Sequence, residues 1–364
     1  MKNFVKNDLP LISIIIACRN EENFISKCLD SILNQDYPKE KLEILVVDGM
    51  SADKTREIVR EYRRKYTFIS SDSEKQGSAK QVLIRLLENR EKITPKAMNI
   101  GIKESKGEVI IFVNSHGILD REFLKWNIYY LEKMKDADAV GGKLKAVSEK
   151  LEIIPQAITF ITDSFFGSGG IRYRKREKEG FVKDTLPYCA YRREVFQRIG
   201  LIDEELLRGQ DAEFNLRLIK KGGKIYFSPK IKSYLYTRPL LSKLWKQQFQ
   251  YGYFKVKIAQ KVGFGLVLRQ HIPPLFVLSL ILTGILGIFS RPFFYLLLIL
   301  LLSYALLNIV FSLEISFKRG FKYFFASVLS FFVLHFSYGL GFLKGIFDFL
   351  LLKKEIKKDV GITR

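Results

Sequence analysis

Between residues 11 and 231, short runs of β-branched and other apolar residues alternate with stretches of helical periodicity. LISIIIA and LEILVVD have the composition of buried strands, and each is followed by a segment with amphipathic helical spacing, NFISKCLDSILNQ and DKTREIVREYRRKY. This alternation predicts an α/β domain with a mostly parallel sheet and helices on both faces. Ligands of such sheets bind at the carboxyl ends of the strands, so the residues after each strand are the candidates for chemistry.

The last third of the chain has a different pattern. Three long runs without a charged residue cover residues 270–290, 292–313 and 323–343, and the third segment extends to about residue 352. A helix needs roughly 20 apolar residues to cross a bilayer, so these runs predict membrane segments. Four parts are expected: the α/β domain at residues 1–235, a linking segment at 236–269, a membrane domain at 270–352 with segments 270–290, 292–313 and 323–352, and a basic tail at 353–364.

Residues 240–262, within the linking segment, combine lysines with tryptophan, tyrosine and phenylalanine. This mixture is typical of a helix that lies in the membrane interface, and a helix packed on the sheet is the alternative. The stretch MKNFVKNDLP has no long apolar run followed by a cleavage site of small residues. We therefore expect a multi-pass protein of the plasma membrane whose α/β domain is cytoplasmic.

The third apolar segment contains Gly339, Gly341 and Gly345 together with His335 and Lys344. Glycines weaken a helix, and an ionisable residue at depth usually faces protein or water. We expect this segment to bend or re-enter, so that the lysine-rich tail returns to the cytoplasmic side, which the positive-inside tendency favours. A tilted full span with an external tail is the alternative.

The formal net charge of +22 fits a protein that lies against anionic lipid. The basic residues are dispersed, and the sequence has no zinc-finger, homeodomain or RRM pattern, so nucleic acid is not an expected partner. Cys18, Cys28 and Cys189 have neither metal-ligand nor CxxC spacing. They are predicted to be small core residues of a protein in a reducing compartment.

One predicted strand ends in an unusual polar triplet. In EVIIFVNSHGILD the apolar run passes directly into Asn114, Ser115 and His116. An amide, a hydroxyl and an imidazole at the tip of a buried strand indicate a ligand site, although Asn114 bonding the backbone of a turn is the simpler interpretation. Elsewhere, SSDSEKQGSAKQ at residues 70–81 has turn-forming composition and is predicted to be a surface insertion.

The N-terminal half resembles the nucleotide-binding opening of family 2 glycosyltransferases, whose pattern is a strand, N-E-E, a helix, Q-x-Y-P, a strand and D-G-x-S-x-D-x-T. The matching stretch is ISIIIACRNEENFISKCLDSILNQDYPKEKLEILVVDGMSADKTREIV. Further blocks, among them VGGKL, FGSGG, LLRGQDAEFNLRLIKKGG and RQHIPP, are similar to the succinoglycan-biosynthesis type of that family. The resemblance covers residues 11–274. It implies a GT-A fold and an inverting transfer from a nucleotide diphosphate sugar, with a UDP-sugar favoured.

In that fold the triplet occupies the position of the D-x-D metal motif, where a divalent cation bridges the two phosphates of the donor. Here His116 stands at the third position, and the resemblance makes it the metal ligand, with Asn114 near the diphosphate. Imidazole suits Mn²⁺ better than Mg²⁺, so Mn²⁺ is the expected ion.

The resemblance also places the catalytic base at Asp211, within RGQDAEF. An inverting transfer needs a group that takes the proton of the acceptor hydroxyl as its oxygen attacks the anomeric carbon. The alternative is that Asp211 is the N-cap of a helix over residues 212–221, which Gly222 would end.

The remaining site residues are implied by the same resemblance. The expected donor contacts are Arg19, Glu21 and Asp48 around the nucleoside, Asp53, and Lys96 at the diphosphate; Asp53 as a helix cap and Lys96 as a solvated residue are the alternatives. Gly49 stands where some relatives have a second aspartate, which leaves the nucleobase open. The expected acceptor contacts are Asp184, Arg192, Arg193, Gln247, Gln248 and Tyr251.

The segment QQFQY at residues 247–251 aligns with the Q-x-x-R-W motif of processive relatives but lacks its arginine and tryptophan. Loss of the arginine removes a fixed cation that could pair with a diphosphate, so a single transfer is expected. The sequence thus predicts a membrane-anchored inverting glycosyltransferase that moves one sugar to a lipid-linked acceptor in surface polysaccharide or glycolipid synthesis. A polyprenyl-phosphate sugar synthase and a catalytically silent sugar-nucleotide-binding assembly subunit are the alternatives.

Overall fold

The structure is a computed structural model that describes residues 9–67, 82–168, 172–263 and 268–354. The insertion expected at residues 70–81 lies outside the described residues. Contacts divide the chain into two compact units, Met1–Lys145 with Lys175–Leu235 and Ala146–Arg174 with Tyr236–Arg364. The first unit ends where the α/β domain was expected to end, but the segment Ala146–Arg174 groups with the C-terminal helices.

The elements are numbered in chain order. The strands are β1 (Ile12–Cys18), β2 (Leu42–Asp48), β3 (Leu83–Glu88), β4 (Val109–Asn114), β5 (Gly117–Leu119), β6 (Ala139–Val147), β7 (Gly180–Val182), β8 (Ala190–Arg192) and β9 (Ile225–Tyr236). The helices are α1 (Ile25–Leu33), α2 (Thr55–Thr67), α3 (Thr94–Glu104), α4 (Phe123–Lys133), α5 (Ile153–Asp163), α6 (Phe165–Ser168), α7 (Arg172–Lys175), α8 (Glu194–Ile199), α9 (Gln210–Lys220), α10 (Leu241–Val262), α11 (Leu268–Phe289), α12 (Arg291–Arg319) and α13 (Phe324–Gly345).

The sheet has a parallel half and an antiparallel half. Its strand order is β3-β2-β1-β4-β8-β6-β9-β5, with β7 paired to β9. The first four strands are parallel, whereas β8 runs antiparallel to β4 and β5 runs antiparallel to β9. The expected α/β class is confirmed, and the sheet is mixed because its second half contains antiparallel pairs of strands.

Burial explains why β1 and β2 read as continuous apolar runs. Every residue of β2 is buried, as are all but one of β1, since helices cover both faces of a parallel sheet. Helix α1 contributes apolar residues at helical spacing, among them Ile25, Leu29 and Ile32. The three cysteines are buried as expected, and burial raises the pKa of the Cys28 thiol to about 12.

The second unit contains three helices long and apolar enough to cross a membrane, at Leu268–Phe289, Arg291–Arg319 and Phe321–Leu351. They coincide with the three expected segments. Helix α13 does not break at its glycines: it runs unbroken from Phe324 to Gly345 and continues as a π-helical turn over Ile346–Leu351. No break therefore occurs at these glycines, re-entry of the segment stays a prediction, and the side on which residues 355–364 end lies outside the described residues.

The glycines of α13 serve close packing instead. A Cβ atom at Gly341 would overlap the carbonyl oxygen of Phe249, and one at Gly345 would come within 2.6 Å of the carbonyl oxygen of Tyr253. On the facing helix α10, a Cβ at Gly252 would overlap the carbonyl oxygen of Tyr338. Small residues let two helix backbones approach closely, which is a common way for membrane-protein helices to associate.

This packing predicts opposite effects of the same substitution at two glycines. Gly341→Ala should lower the stability of the protein by about 1–3 kcal/mol, the usual cost of overpacking, because the backbone of α10 cannot move away without losing its other contacts. Gly284→Ala is the matched control, since among the described residues no atom beyond its own helical turn and chain neighbours lies within 4 Å of a Cβ there. In the control, alanine should be neutral or stabilising because it favours a helix over glycine by about 1 kcal/mol. Thermal unfolding in detergent measures both, and equal midpoints for the two variants would contradict the packing argument.

Candidate active site

The candidate site is built where the parallel strands end. Cys18, the last residue of β1, lies beside Asp48, the last residue of β2, and Ala17 lies beside Asn114, the last residue of β4. Parallel strands in register bring their carboxyl ends to one edge of the sheet. The loops that follow β1, β2 and β4 are therefore neighbours.

The loops after β1 and β2 are joined by hydrogen bonds. The backbone N–H of Asn20 donates to Ser51 Oγ at 2.9 Å, and the N–H of Glu21 donates to Thr55 Oγ1 at 2.7 Å. In return, the side-chain oxygen of Asn20 accepts from the N–H of Ala52 at 2.9 Å. These contacts explain why serine and threonine recur in SADKT, a role that the sequence analysis did not assign to Ser51 or Thr55.

Asp53 has the capping role that was its alternative interpretation. One carboxylate oxygen accepts from the N–H and the hydroxyl of Thr55, the first residue of α2, and the other accepts from the N–H of Glu22 at 3.1 Å. Burial alone would raise the pKa of Asp53, but the hydrogen bonds from Thr55 and Glu22 outweigh it and lower the pKa below its ordinary value. A donor contact by Asp53 stays a prediction, and its oxygens already have these partners.

Asp48 and Arg19 differ in accessibility. The Asp48 side chain is fully buried; it accepts hydrogen bonds from the N–H and the hydroxyl of Ser51 and lies 3.6 Å from Arg56 Nε. Arg19 is exposed, and its side chain packs against Gly49: a Cβ atom added at Gly49 would lie 3.3 Å from Arg19 Cβ and 3.4 Å from Arg19 Cδ. Arg19 is therefore available to a ligand, whereas Asp48 shapes the loop from within.

Several residues of this edge adopt the left-handed conformation without being glycine. Asn20, Met50 and Tyr188 have φ of 53°, 56° and 49°. Asparagine tolerates this region, but for a bulky residue it is strained. Such strain is found at ligand sites, where the surrounding contacts hold it in place. Tyr188, to which the sequence analysis gave no role of its own, thereby joins the candidate site.

The polar triplet after β4 presents two of its three side chains. Asn114 is exposed and His116 is half-buried, whereas Ser115 is only 2% exposed and faces the interior. His116 Nδ1 lies 3.8 Å from Glu21 Oε1, and the Glu21 side chain is buried. The structure thus places Glu21, expected at the nucleoside, beside the imidazole of the next loop.

The triplet offers a cation few donors of its own. In the part of the chain that the structure describes, no group of three histidine, cysteine, aspartate or glutamate residues could hold a metal ion. An imidazole and an exposed amide on one turn nevertheless fit a cation that takes its other ligands from the phosphates of a donor, as Mn²⁺ accepts nitrogen and oxygen ligands. The residues present fit a bridging ion and do not form an all-protein site.

Tyr188 packs against the same turn. A Cβ at Gly117 would overlap the Tyr188 hydroxyl and come within 3.1 Å of the Asn114 carbonyl oxygen, so glycine is required there. Burial raises the pKa of Tyr188 well above its ordinary value, and the charge of Asp211 contributes to that shift.

Asp211 lies in the first turn of α9 and is exposed. The helix begins at Gln210, and its N-cap is Gly209 in the left-handed conformation with φ of 73°. The interpretation of Asp211 as the N-cap is therefore wrong. Farther along α9, Asn215 donates to the carbonyl of Leu186 at 2.9 Å and accepts from the Tyr191 hydroxyl at 2.7 Å. These buried bonds fix the helix that carries Asp211.

Lys96 and Asp184 both have hydrogen-bond partners within the protein. Lys96 lies in the first turn of α3, 3.1 Å from a carboxylate oxygen of Glu91 and 3.3 Å from one of Glu204. Hydrogen bonding to Glu91, followed by Glu204, raises the pKa of Lys96. Asp184 is half-buried and accepts from the N–H of Thr185 at 2.8 Å. Lys96 is therefore not the lone solvated lysine of the alternative interpretation, because it forms ion pairs with Glu91 and Glu204.

Arg192 and Arg193 do not lie at this edge. Arg192 pairs with Val109, the first residue of β4, and five residues at about 3.3 Å each separate that end of the strand from Asn114 by roughly 17 Å. The Arg192 guanidinium donates to the carbonyls of Ala137 and Leu131, and that of Arg193 donates to the carbonyl of Gly107. The acceptor contacts expected of Arg192 and Arg193 do not fit this arrangement, because both guanidinium groups donate to backbone carbonyls at the opposite edge of the sheet.

The other expected acceptor residues belong to the second unit. Gln247 and Gln248 are half-buried on α10, and Tyr251 on the same helix is exposed. Their contact with an acceptor stays a prediction.

The sequence matches the model of glycosyl transferase family 2 over residues 13–200. It is 35% identical over 284 residues to the dolichyl N-acetyl-α-D-glucosaminyl phosphate 3-β-D-2,3-diacetamido-2,3-dideoxy-β-D-glucuronosyltransferase of Methanococcus voltae, a match that covers 76% of this chain and 83% of the relative. It is 26% identical over 266 residues to the succinoglycan biosynthesis protein ExoA of Rhizobium meliloti, which covers 71% and 73% of the two chains.

Among solved structures, the fold is similar to that of a mannosyltransferase from Pyrobaculum calidifontis in complex with GDP-Man and Mn²⁺. The TM-score is 0.58 at 16% sequence identity, and the match covers 94% of this chain and 89% of the other. This likeness shows the GT-A fold. Together with the family match, it confirms the resemblance drawn from the sequence. The chain therefore belongs to glycosyltransferase family 2 and is an enzyme that transfers a sugar from a nucleotide sugar.

Proposed function

We propose that this enzyme moves one sugar, with inversion, from a nucleotide diphosphate sugar to a lipid-linked acceptor at the plasma membrane, in the synthesis of a surface polysaccharide or glycolipid. The observation that supports the proposal is that the turn after β4 presents Asn114 and His116 at the carboxyl ends of the parallel strands, while Asp211 is exposed in the first turn of α9. A base and a diphosphate-binding turn at one sheet edge are what an inverting transfer requires.

The acceptor class is supported by the second unit and by a relative. Three helices of membrane length follow the catalytic unit along the chain. The Methanococcus relative is named for a dolichyl-phosphate-linked N-acetylglucosamine acceptor and a β-linked product sugar. A lipid-linked sugar therefore fits best, and a UDP-sugar is the favoured donor. A bare polyprenyl phosphate is the alternative acceptor, which mass analysis of the lipid product distinguishes.

The chemistry at Asp211 follows from its exposure. The acceptor hydroxyl donates its proton to an Asp211 carboxylate oxygen as the hydroxyl oxygen forms a bond to the anomeric carbon. The bond between that carbon and the diphosphate oxygen breaks on the opposite face, and the electron pair leaves with the diphosphate. A divalent cation, Mn²⁺ by ligand preference, would neutralise the charge that develops on the leaving group.

Binding roles divide among the loops. Asn114 and His116 would hold the diphosphate and its cation, with exposed Arg19 at the nucleotide and Lys96 at the phosphates. Glu21 would orient the imidazole of His116 through Nδ1, since a carboxylate beside one ring nitrogen determines which nitrogen binds the metal. Asp184, Gln247, Gln248 and Tyr251 would meet the acceptor. The absence of the Q-x-x-R-W arginine from QQFQY favours a single transfer.

A catalytically silent sugar-nucleotide-binding subunit is the second candidate. The triplet lacks the carboxylates of the metal motif, and the described residues hold no three-donor cluster. Purified full-length protein incubated with a panel of nucleotide sugars and lipid-linked acceptors, followed by mass analysis, decides between the two. A lipid mass increased by a single sugar supports the proposal. Nucleotide-sugar binding without transfer or donor hydrolysis would favour the silent subunit.

A substitution at Asp211 tests its role as the base. Asp211→Asn should leave donor affinity nearly unchanged, because the carboxylate meets the acceptor, while transfer falls by roughly 10²- to 10⁴-fold, the usual loss of a general base. Calorimetric titration with UDP and a radiolabelled transfer assay measure the two quantities. Asp136→Asn is the control, since that exposed carboxylate pairs only with Lys224 among its described ion pairs. Near-normal turnover of Asp211→Asn would reduce Asp211 to a structural residue.

A second prediction concerns the metal. His116→Ala should weaken Mn²⁺-dependent binding of UDP, because it removes the nitrogen donor. His116→Asp should shift the preference toward Mg²⁺, since a carboxylate is a harder ligand. Titrations with each ion measure both effects, and electron paramagnetic resonance of bound Mn²⁺ reports the ligand change directly. His271→Ala, in the second unit, is the control. If both His116 variants keep the metal dependence of the parent, as the control should, His116 is not a ligand.

A further inference from the structure

Helix α13 differs from the other two apolar helices. The most apolar stretch of α11 is 17% buried and that of α12 is 11% buried, as expected for helices surrounded by lipid, whereas 56% of the corresponding stretch of Phe321–Leu351 is buried. Length and composition alone would assign all three helices to membrane crossings. The contacts of α13 within the second unit indicate a different arrangement.

The first line of support is the direction of the three helices. Helices α11 and α12 run in opposite senses, because Phe276 stacks on Tyr304 and Gly287 packs against Phe294. Helices α12 and α13 also run in opposite senses, since Tyr304 bonds His335 at 3.2 Å and Asn308 bonds the Val328 carbonyl at 3.1 Å.

Helices α11 and α13 form the third pair. Helix α11 meets α13 in the opposite sense as well, with His271 beside Phe342 and Phe276 beside Phe336. Three helices cannot all be pairwise antiparallel along a single axis. Because α11 and α12 form a tight hairpin, α13 must be the helix that crosses the other two.

Helix α13 lies along helix α10. Helix α10 runs in the same direction: Phe249 packs on Gly341, Tyr253 packs on Gly345, and Lys257 lies 5.3 Å from the ring centre of Phe349. Helix α10 carries Lys243, Lys246, Lys255, Lys257 and Lys261. Ionised lysines are costly in hydrocarbon, so α10 does not span the bilayer. A helix fixed along its flank to α10 is held in the same layer.

The outward face of α13 gives the third line of support. Large apolar side chains recur at a spacing of three or four residues and are exposed or half-buried: Phe325, Leu329, Phe332, Phe336, Leu340, Leu343 and Phe347. The buried faces combine small residues, including Ser327, Ser330, Ser337 and the glycines, with large side chains such as Phe331 and Phe342 that pack inside the second unit. One continuous apolar stripe along a helix is the pattern of a helix that lies in the interface plane.

We propose that α13 lies in the plane of the membrane, with this stripe in contact with lipid at the boundary of headgroups and acyl chains and with α10 on its aqueous side. Only the α11–α12 hairpin then crosses the bilayer, and both ends of α13 are on one side. The lipid partner is supported by continuity with the exposed apolar surface of the hairpin. It is also supported by the basic residues that flank the stripe, Arg319, Lys322, Lys353 and Lys354, which suit anionic headgroups.

The depth of α13 can be measured with spin labels. Full-length protein with Cys18, Cys28 and Cys189 replaced by serine is reconstituted in vesicles of phosphatidylcholine and phosphatidylglycerol. Single cysteines at Phe325, Phe332, Phe336, Leu343 and Phe347 are labelled in turn, and accessibility to oxygen and to a polar nickel complex gives each depth. A helix in the plane predicts one shallow depth at all five positions. A spanning helix predicts a profile that deepens toward Phe336 and becomes shallow again at Phe347, which would overturn the proposal.

Helix α12 is the internal control. Labels at Leu298, Leu302, Leu306 and Ile309, which are exposed along one face, should show depth changing steadily with position. An independent experiment measures on which side of the membrane the two ends of α13 lie, with cysteines at Lys318 before α13 and at Lys353 after it. An impermeant thiol reagent should reach both residues from the same side of sealed vesicles, and reaction from opposite sides would overturn the proposal even if a stripe variant failed to fold. Neither arm depends on transferase activity, so both remain decisive if the proposed function is wrong.

Discussion

The candidate site depends on the parallel register of β1, β2 and β4. Because these strands are aligned residue by residue, three loops that are far apart in sequence begin at the same edge of the sheet. The hydrogen bonds from Asn20 and Glu21 to Ser51 and Thr55 then fix the first two loops to each other. A slip of one residue would turn every side chain of a strand to the other face and separate these partners.

Pattern alone predicted much of the fold. Fully buried parallel strands are continuous apolar runs, so β1 and β2 could be located to within one residue, and the three apolar helices could be located from their length. The short antiparallel strands β5, β7 and β8 were not predicted, because three residues carry too little periodicity. The glycines of α13 were misinterpreted, since the sequence cannot show whether a glycine weakens a helix or admits a neighbouring backbone.

The site was predicted less completely. Strand ends identified Asn114 and His116, and the family resemblance identified Asp211, but the sequence could not distinguish a ligand contact from a structural one. Asp48 is fully buried and bonds its own loop. Arg192 donates to a backbone carbonyl at the opposite edge of the sheet, because β8 runs antiparallel to β4 and places Arg192 beside the first residue of that strand. Tyr188 was missed as a site residue because its strained backbone has no sequence signature.

The central claim is that the loops after β1, β2 and β4 form the nucleotide-sugar site. Hydrogen–deuterium exchange of the full-length protein with and without UDP and Mn²⁺ tests it most directly, because it maps protection without a substitution. If these loops bind the nucleotide, exchange should slow in peptides covering residues 19–22, 49–55 and 114–117 and stay unchanged around Arg192 at the opposite edge. Protection confined to the opposite edge or to the C-terminal helices, with these three loops unchanged, would contradict the account.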